Sequence, residues 1–494
     1  MSSAGAPPST RGAALPHWQS AAAWAAVLAL TVALAVHTCS SDFRRYREFR
    51  TGWSWDLAYY NQWYWSIFFG DRTITVRPYS SYATEGPSVL KNNYLAPLRL
   101  LILPVYRLAP GPLTLLAVHA VVFWWVVPAA FTLARAEGRS TAVGLAAAAL
   151  VPLTPLLWPL AVNDFRELQM ALPFVLWALQ GVRGRQPRLA AFGIIGMLAC
   201  RQEMAVVVAS LAIVPAREPE DPGRSYHWAH VLIVTGLAWF LFAFLGYLRI
   251  FFGPTTAWMY LKQFQGDRAE LSQVIDTGAE FLAVGLGGWI LFLAAAPRVA
   301  LLMLPWLWSL CGGRWSMRFL AEREWHHVRY AAPFVALGLA AGVIGFGQVG
   351  AKLLARRRGG WWFAAVWVAA AGVSALALDD VVQRMKRQPL EISAAEAPEV
   401  WRWIGEVAPD DGVLATYEVT APLSSRRCLY SYVLHSNEPQ GYPDRLSPEI
   451  RWVFWRTADG STQVFEDEGF TAVHRGSFLV ILRRSGGAAA AGPE

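Results

Sequence analysis

Residues 51–70, TGWSWDLAYYNQWYWSIFFG, set one carboxylate, Asp56, among four tryptophans and three tyrosines beside a long apolar segment. An acid in such surroundings loses hydration and needs a partner, a metal or a chemical task to stay there. Three further groups share this character. Arg201, Gln202 and Glu203 interrupt the middle of LAAFGIIGMLACRQEMAVVVASLAIVPAR, Asp164, Arg166 and Glu167 sit in NDFRE between two apolar runs, and Arg329 precedes Tyr330 where another begins. Carboxylates and arginines of this kind suit group transfer from a lipid phosphate. A carboxylate within hydrogen-bond reach takes the proton of an attacking hydroxyl, and guanidinium forks meet the charge on a departing phosphate in a site with little water. On this reading Asp56 is the acid–base residue, with a raised pKa, and Arg201, Arg166 and Arg329 are the phosphate contacts.

Each residue also has a structural reading. Asp56 would serve as the N-cap of a helix starting at Leu57. NDFRE would be a solvated turn, Arg201 and Glu203 a pair satisfying each other, and Arg329 with Tyr330 an interfacial anchor. The aromatics around Asp56 would likewise anchor at a membrane interface or form a platform for a sugar ring. His326 and His327 are adjacent and point apart on a helix, which argues against a shared metal.

The elements that must position these residues are membrane helices. Of 494 residues 55% are hydrophobic and only 16% charged, too little charge to cover a soluble globule of this length. The mean hydropathy is +0.31. The net charge of +8 is dispersed between apolar spans and forms no continuous basic face, which favours membrane lipid as partner and excludes nucleic acid. Cys39, Cys200, Cys311 and Cys428 show no C-x-x-C spacing. Phosphate-loop, zincin and serine-hydrolase motifs are missing, and the glycines of GLGG and GVIGFGQVG lie in apolar spans, where they serve close helix packing.

The predicted architecture is a polytopic α-helical membrane protein of roughly 10–12 membrane segments with a large first outer loop, followed by a small C-terminal α/β domain. Residues 1–20 form a short cytoplasmic N-terminus and 21–378 the membrane domain, with the first outer loop over about 40–94 and an interface helix over about 95–108. Spans are expected near 21–39, 112–133, 141–161, 168–182, 228–252, 278–296, 298–311, 330–350 and 361–378. Basic residues at both outer ends of 188–217 favour a hairpin of two short helices with Arg201 and Glu203 at its tip. Alternating the spans from the cytoplasmic Arg356 to Arg358 loop puts the Asp56 loop, Asp164, the 314–329 loop and the C-terminal region on one outer face. Within 379–494, an extracytoplasmic domain with a flexible tail, EAPEVWRWIGE reads as an amphipathic helix, and VLATYEV, CLYSYVL, QVFEDEGFTAVHRG and SFLVILRR as strands.

WDLAYYNQ, NYLAPLRLLILPVYRLAPGPLTLL, NDFRELQMALPFVLWAL, the RQE interruption, HHVRYAAPFVALGLAAGVIG and APEVWRWIGEVAPDDGVLATYEVTAPLSSRRCLY together resemble a bacterial family of predicted membrane proteins of unknown function, DUF2079, over nearly the whole chain. That family is distantly similar to the GT-C glycosyltransferases. The resemblance implies sugar transfer from a polyprenyl-phosphate donor to a cell-envelope acceptor on the outer face of the plasma membrane, with Asp56 at the position of the acidic residue of the first outer loop. It adds Gln62 and Tyr94 to Arg201, Glu203, Asp164, Arg166, Glu167 and Arg329 as substrate contacts. No residue set is assigned to a metal, though a divalent ion is compatible with such a reaction. Two departures stand out: Tyr94 in NNYLAP and Arg166 in NDFRE each occupy a place where relatives commonly carry histidine, so proton transfer here is handled without those imidazoles. A transporter or flippase of a lipid-linked substrate, and a non-catalytic scaffold, are the competing readings.

Overall fold

A computed structural model describes residues 17–51, 54–72, 74–76, 94–162, 164–217, 222–252, 270–311, 325–386, 392–432 and 446–485. The first helices run in chain order as α1 (His17–Arg47), α2 (Ser54–Phe68), α3 (Leu98–Leu108), α4 (Pro112–Trp124), α5 (Val126–Gly138), α6 (Thr141–Leu150), α7 (Leu157–Ala161), α8 (Ala171–Arg183), α9 (Pro187–Cys200), α10 (Met204–Ser210) and α11 (Pro222–Phe240). Among the described residues five helices are long and apolar enough to cross a membrane: Ser20–Arg47, Pro112–Gly138, His227–Phe251, Val328–Leu354 and Gly359–Lys386. Shorter apolar helices, among them Thr141–Leu153, Pro187–Cys200, Met204–Ile213 and Pro297–Cys311, pack with them. This is the expected polytopic helical protein.

At its centre lies the Ala332–Leu354 helix, buried along nearly its whole length. Gly345 explains how close its neighbour comes: a Cβ there would lie 2.0 Å from the carbonyl oxygen of Phe292. The expected straight span over 278–296 is instead two pieces, Val274–Gly285 and Gly287–Ala295, bent by 102°. Gly287, at φ +56°, takes the left-handed backbone that this turn requires.

In α3, Leu98, Arg99, Ile102 and Tyr106 are buried, while Leu100, Leu101, Val105 and Leu108 are exposed. One face of α3 thus packs on the protein while the other leaves apolar side chains outward.

The C-terminal domain folds as a five-stranded sheet, β1 (Gly412–Thr416), β2 (Leu429–Tyr432), β3 (Ile450–Arg456), β4 (Phe470–Arg475) and β5 (Leu479–Arg484), in the order β2-β1-β3-β5-β4. The three strands β2, β1 and β3 are parallel, and β3, β5 and β4 are antiparallel. The amphipathic helix appears at Ala397–Glu406. Sequence reading overlooked β3, IRWVFWR, and took all of QVFEDEGFTAVHRG as strand. Its first part is a short helix, Gln463–Asp467, because Thr462 bonds Glu466 and Gln463 bonds Asp467 at helical spacing.

The sheet domain is fastened to the first loop. Trp401 Nε1 donates to the Arg47 carbonyl at 2.8 Å and its ring stacks on Phe49. Asn61 Nδ2 donates to Ser424 and Ser425 at 2.8 and 3.0 Å.

Candidate active site

Asp56 lies in the first turn of α2, two residues after its start at Ser54, so it is not the cap of a helix beginning at Leu57. An acidic residue in a first turn is favoured by the helix dipole. Its Oδ2 accepts hydrogen bonds from Arg166 and, at 2.7 Å, from Arg329 Nη1. Three distant segments of the chain therefore meet at one oxygen. Burial alone would push the Asp56 pKa up, but the charges and hydrogen bonds of Arg166 and Arg329 outweigh it and hold the carboxyl below its ordinary value. The raised pKa expected for Asp56 is thus reversed.

The carboxyl that burial does raise is Asp164. It is 3% exposed, and among the described residues neither of its oxygens has a hydrogen-bond partner. Desolvation is the leading cause, partly opposed by Arg166 and reinforced by the Asp56 charge, and brings its pKa up to about 7. Its backbone is left-handed, at φ +58°, a conformation that aspartate tolerates better than most residues and that recurs at functional sites. NDFRE is consequently no solvated turn: Asp164, Arg166 and Glu167 are all buried.

Two further ion pairs flank this centre. Glu167 accepts from Arg99 of α3, whose guanidinium lies over the Tyr60 ring at 4.9 Å. Arg166 lies over the same ring at 5.6 Å. Tyr60, Trp63 and Tyr64 are buried in protein and cannot be membrane-interface anchors; they insulate the arginines from water. Arg99 was missed in the sequence. Its only signal was a lone cation in the apolar stretch LRLLILPVY.

The hairpin supplies the other pair. α9 ends at Cys200, Arg201 is extended (φ −167°, ψ 150°), and α10 starts at Met204. The Arg217 amide bonds the Arg183 carbonyl at 2.8 Å, so the two outer ends meet and the charged tip lies at the far end. Arg201 Nε lies 3.1 Å from Glu203 Oε1, and its guanidinium caps the Tyr94 ring at 3.9 Å. Gln202 Oε1 accepts from the Leu95 amide at 2.9 Å, holding the start of the interface segment. Arg201 and Glu203 share with Tyr330, Trp306 and Ser309 a cavity of about 20 Å³, room for one water. Tyr330 in turn accepts from Arg329 Nη2 at 3.3 Å, which connects the tip to the Asp56 centre.

Of the expected contacts, Asp56, Asp164, Arg166 and Arg329 form the centre, Arg201, Glu203 and Tyr94 the adjoining tip, and Glu167 the pair with Arg99. Gln62 stands apart. Its Oε1 accepts from the amides of Thr75 and Val76 at 2.9 and 2.8 Å, and its Nε2 donates to the Arg426 carbonyl at 3.0 Å. These bonds tie the first loop to the sheet domain. The side chains of His326 and His327 lie outside the described residues, and among the described residues no three His, Cys, Asp or Glu side chains gather in a metal-holding group.

No functionally curated protein matches the sequence. The fold is similar to that of ArnT from Cupriavidus metallidurans bound to undecaprenyl phosphate, with a TM-score of 0.53 at 16% identity, covering 94% of this chain and 99% of that one. The apo state of the same protein gives 0.52 at 15% identity, covering 96% and 100%. The chain therefore shares the ArnT fold. Residues 51–472, spanning the candidate site and most of the sheet domain, match the model of the DUF2079 predicted membrane proteins, and the chain belongs to that family.

Proposed function

We propose that this protein transfers a sugar from a polyprenyl-phosphate donor to an acceptor of the cell envelope, on the outer face of the plasma membrane. The observation that carries this reading is the Asp56 carboxylate clasped by Arg166 and Arg329, with Asp164, which has no hydrogen-bond partner among the described residues, beside it. Support for the donor class comes from the likeness of fold to a protein bound to undecaprenyl phosphate.

The cations fit a phosphodiester donor. Four arginines (99, 166, 201 and 329) stand against four carboxylates (56, 164, 167 and 203), so with Asp164 ionised as a base the donor phosphate is met by directed guanidinium groups and not by a net positive charge. In the reaction an acceptor hydroxyl oxygen bonds to the anomeric carbon. The bond from that carbon to the phosphate oxygen breaks, and its electron pair leaves with the polyprenyl phosphate. The proton of the acceptor hydroxyl passes to a carboxylate. Asp164, with a pKa near neutrality, is the better base, and it accepts when ionised. Asp56, held ionised, is a weaker base; its part is to aim Arg166 and Arg329 at the leaving phosphate, where fixed guanidinium groups stabilise the charge that develops. Arg201 at the hairpin tip is the third phosphate contact, and Tyr94 orients it.

The test is incorporation of labelled sugar from lipid extract into envelope acceptors by wild type, Asp56→Asn, Asp164→Asn and Arg201→Gln. Loss in the first two with normal folding supports the assignment. Unchanged incorporation in folded Asp56→Asn and Asp164→Asn proteins would defeat it and leave transport or scaffolding as the reading.

A further inference from the structure

A second cavity, of about 420 Å³, opens between the C-terminal end of α1 and the end of the Gly359–Lys386 helix. Arg44, Arg45, Arg50 and Lys386 line it, against one lining carboxylate, Glu48. Glu48 lies 3.5 Å from Arg50, and Asp42, buried on the preceding turn, offsets part of the Arg45 charge. Two or so positive charges remain uncompensated, and among the described residues the buried Arg45 Nε has no hydrogen-bond partner. The rest of the wall is His37 and Ser41 of α1 with the apolar Trp158, Val162, Val382 and Met385.

The position of the cavity matters as much as its charge. Both bordering helices are among the five long enough to span a membrane, and both end in cations at this level, Arg44, Arg45 and Arg47 on one and Arg384 and Lys386 on the other. Cations at the end of a span, with polar His37 and Ser41 on the preceding turns of α1 and apolar side chains on the other walls, suit the layers of a lipid: phosphate on the cations, glycerol against the polar pair, acyl chain along the apolar side. A soluble anion would have no use for the apolar wall.

We infer that this cavity binds the phosphate headgroup of an anionic membrane lipid, with the cations on the phosphate and the upper acyl chain against Trp158 and Met385. The inference does not depend on the proposed sugar transfer, since none of the cavity's cations belongs to the Asp56 centre. Val162 nonetheless lies two residues before Asp164, and the Arg45 charge is close enough to act on that carboxyl, so a bound lipid phosphate would border the reaction centre.

The test uses the full chain purified in detergent, delipidated and titrated with phosphatidylglycerol, phosphatidylcholine or inorganic phosphate, with retained lipid read by native mass spectrometry and thermal stability read alongside. Phosphatidylglycerol should bind and raise the melting temperature more than phosphatidylcholine. The triple variant Arg44→Gln, Arg50→Gln, Lys386→Gln should weaken phosphatidylglycerol binding by roughly tenfold or more, given about 1 kcal/mol for each cation near a lipid surface. Replacing the exposed Arg356, Arg357 and Arg358 by glutamine, also three cations at a helix end, should leave the preference intact. Should the triple variant misfold, the exposed Lys386→Glu variant alone should still lower the preference. Equal binding of the two lipids, an unchanged preference in the folded cavity variants, or full competition by inorganic phosphate would overturn the inference.

Discussion

Two buried ion clusters, one at each end of α8, are built to different rules. At its C-terminal end Glu137 receives Arg183 through both oxygens, at 2.9 and 2.7 Å, and Arg217 at 3.1 Å, while Arg183 also donates to the Pro215 carbonyl at 3.0 Å. Both carboxylate oxygens of Glu137 are used. That cluster closes the hairpin whose tip carries Arg201. Before the N-terminal end of α8, Asp56 is likewise held by two arginines, yet Asp164 next to it has two oxygens without a partner among the described residues. A buried charge that only fastens helices can be fully paired. One that must take up a proton or meet a ligand keeps free valence, and the protein bears its desolvation cost.

This contrast predicts that damage at the two clusters will be seen by different measurements. The largest effect is expected from Glu137→Ala, which leaves Arg183 buried without its carboxylate and should cost about 3–5 kcal/mol of stability. The folded fraction in detergent chromatography should collapse. Because the pair is structural, the double change Glu137→Leu with Arg183→Met should recover much of that fraction, as apolar replacements of buried ion pairs often do. No recovery would place Glu137 outside the purely structural class.

Next comes Asp56→Asn. It keeps size and first-turn position, so the protein should fold, whereas transfer should fall on the order of 100-fold or more as Arg166 and Arg329 lose their common anchor. A chromatographic profile like wild type with abolished labelled-sugar incorporation is the expected pair of results.

Asp164→Asn should separate activity from stability. With a folded pKa raised to about 7, Asp164 costs stability as it ionises. The penalty is absent below the unfolded pKa of about 4, grows as pH rises and is complete above 7. The asparagine variant should therefore melt a few degrees higher at pH 8 and equally at pH 4, on the order expected for a gain of one or two kcal/mol. Its transfer rate should drop, and the wild-type rate should fall as pH is lowered through 7. A wild-type profile flat between pH 5.5 and 8 would remove Asp164 from the base role.

The smallest effect concerns the join between the two parts of the chain. Asn61→Ala removes two hydrogen bonds to Ser424 and Ser425 and leaves the Tyr106 hydroxyl, which donates to Asn61 Oδ1 at 2.7 Å, only its longer bond to the residue 61 carbonyl at 3.4 Å. A loss of about 1–2 kcal/mol should show as faster protease cleavage between the sheet domain and the helices, with the Glu137 cluster undisturbed.

Composition and hydropathy determined by themselves that this is a polytopic membrane protein, because a chain so poor in charge has only lipid as a solvent for its surface. Local pattern also located most helices, the short helix at Leu98–Leu108, the hairpin and four of the five strand regions. These features depend on residues near in sequence, through helical periodicity, alternation and charges flanking apolar runs. The sequence likewise singled out Asp56, Asp164, Arg166, Arg201 and Arg329, since ionisable groups in apolar surroundings are conspicuous without any fold. What they do to one another was not legible. The partners of Asp56 lie 110 and 273 residues away, and the sign of a buried carboxyl's pKa shift depends on whether burial or a neighbouring cation prevails. The same holds for the pairing of Arg99 with Glu167, the bend at Gly287 and the assignment of Gln62 to the domain join. In each case the deciding contact comes from a segment that only tertiary packing brings within hydrogen-bond distance, and a few ångströms separate a paired charge from a free one.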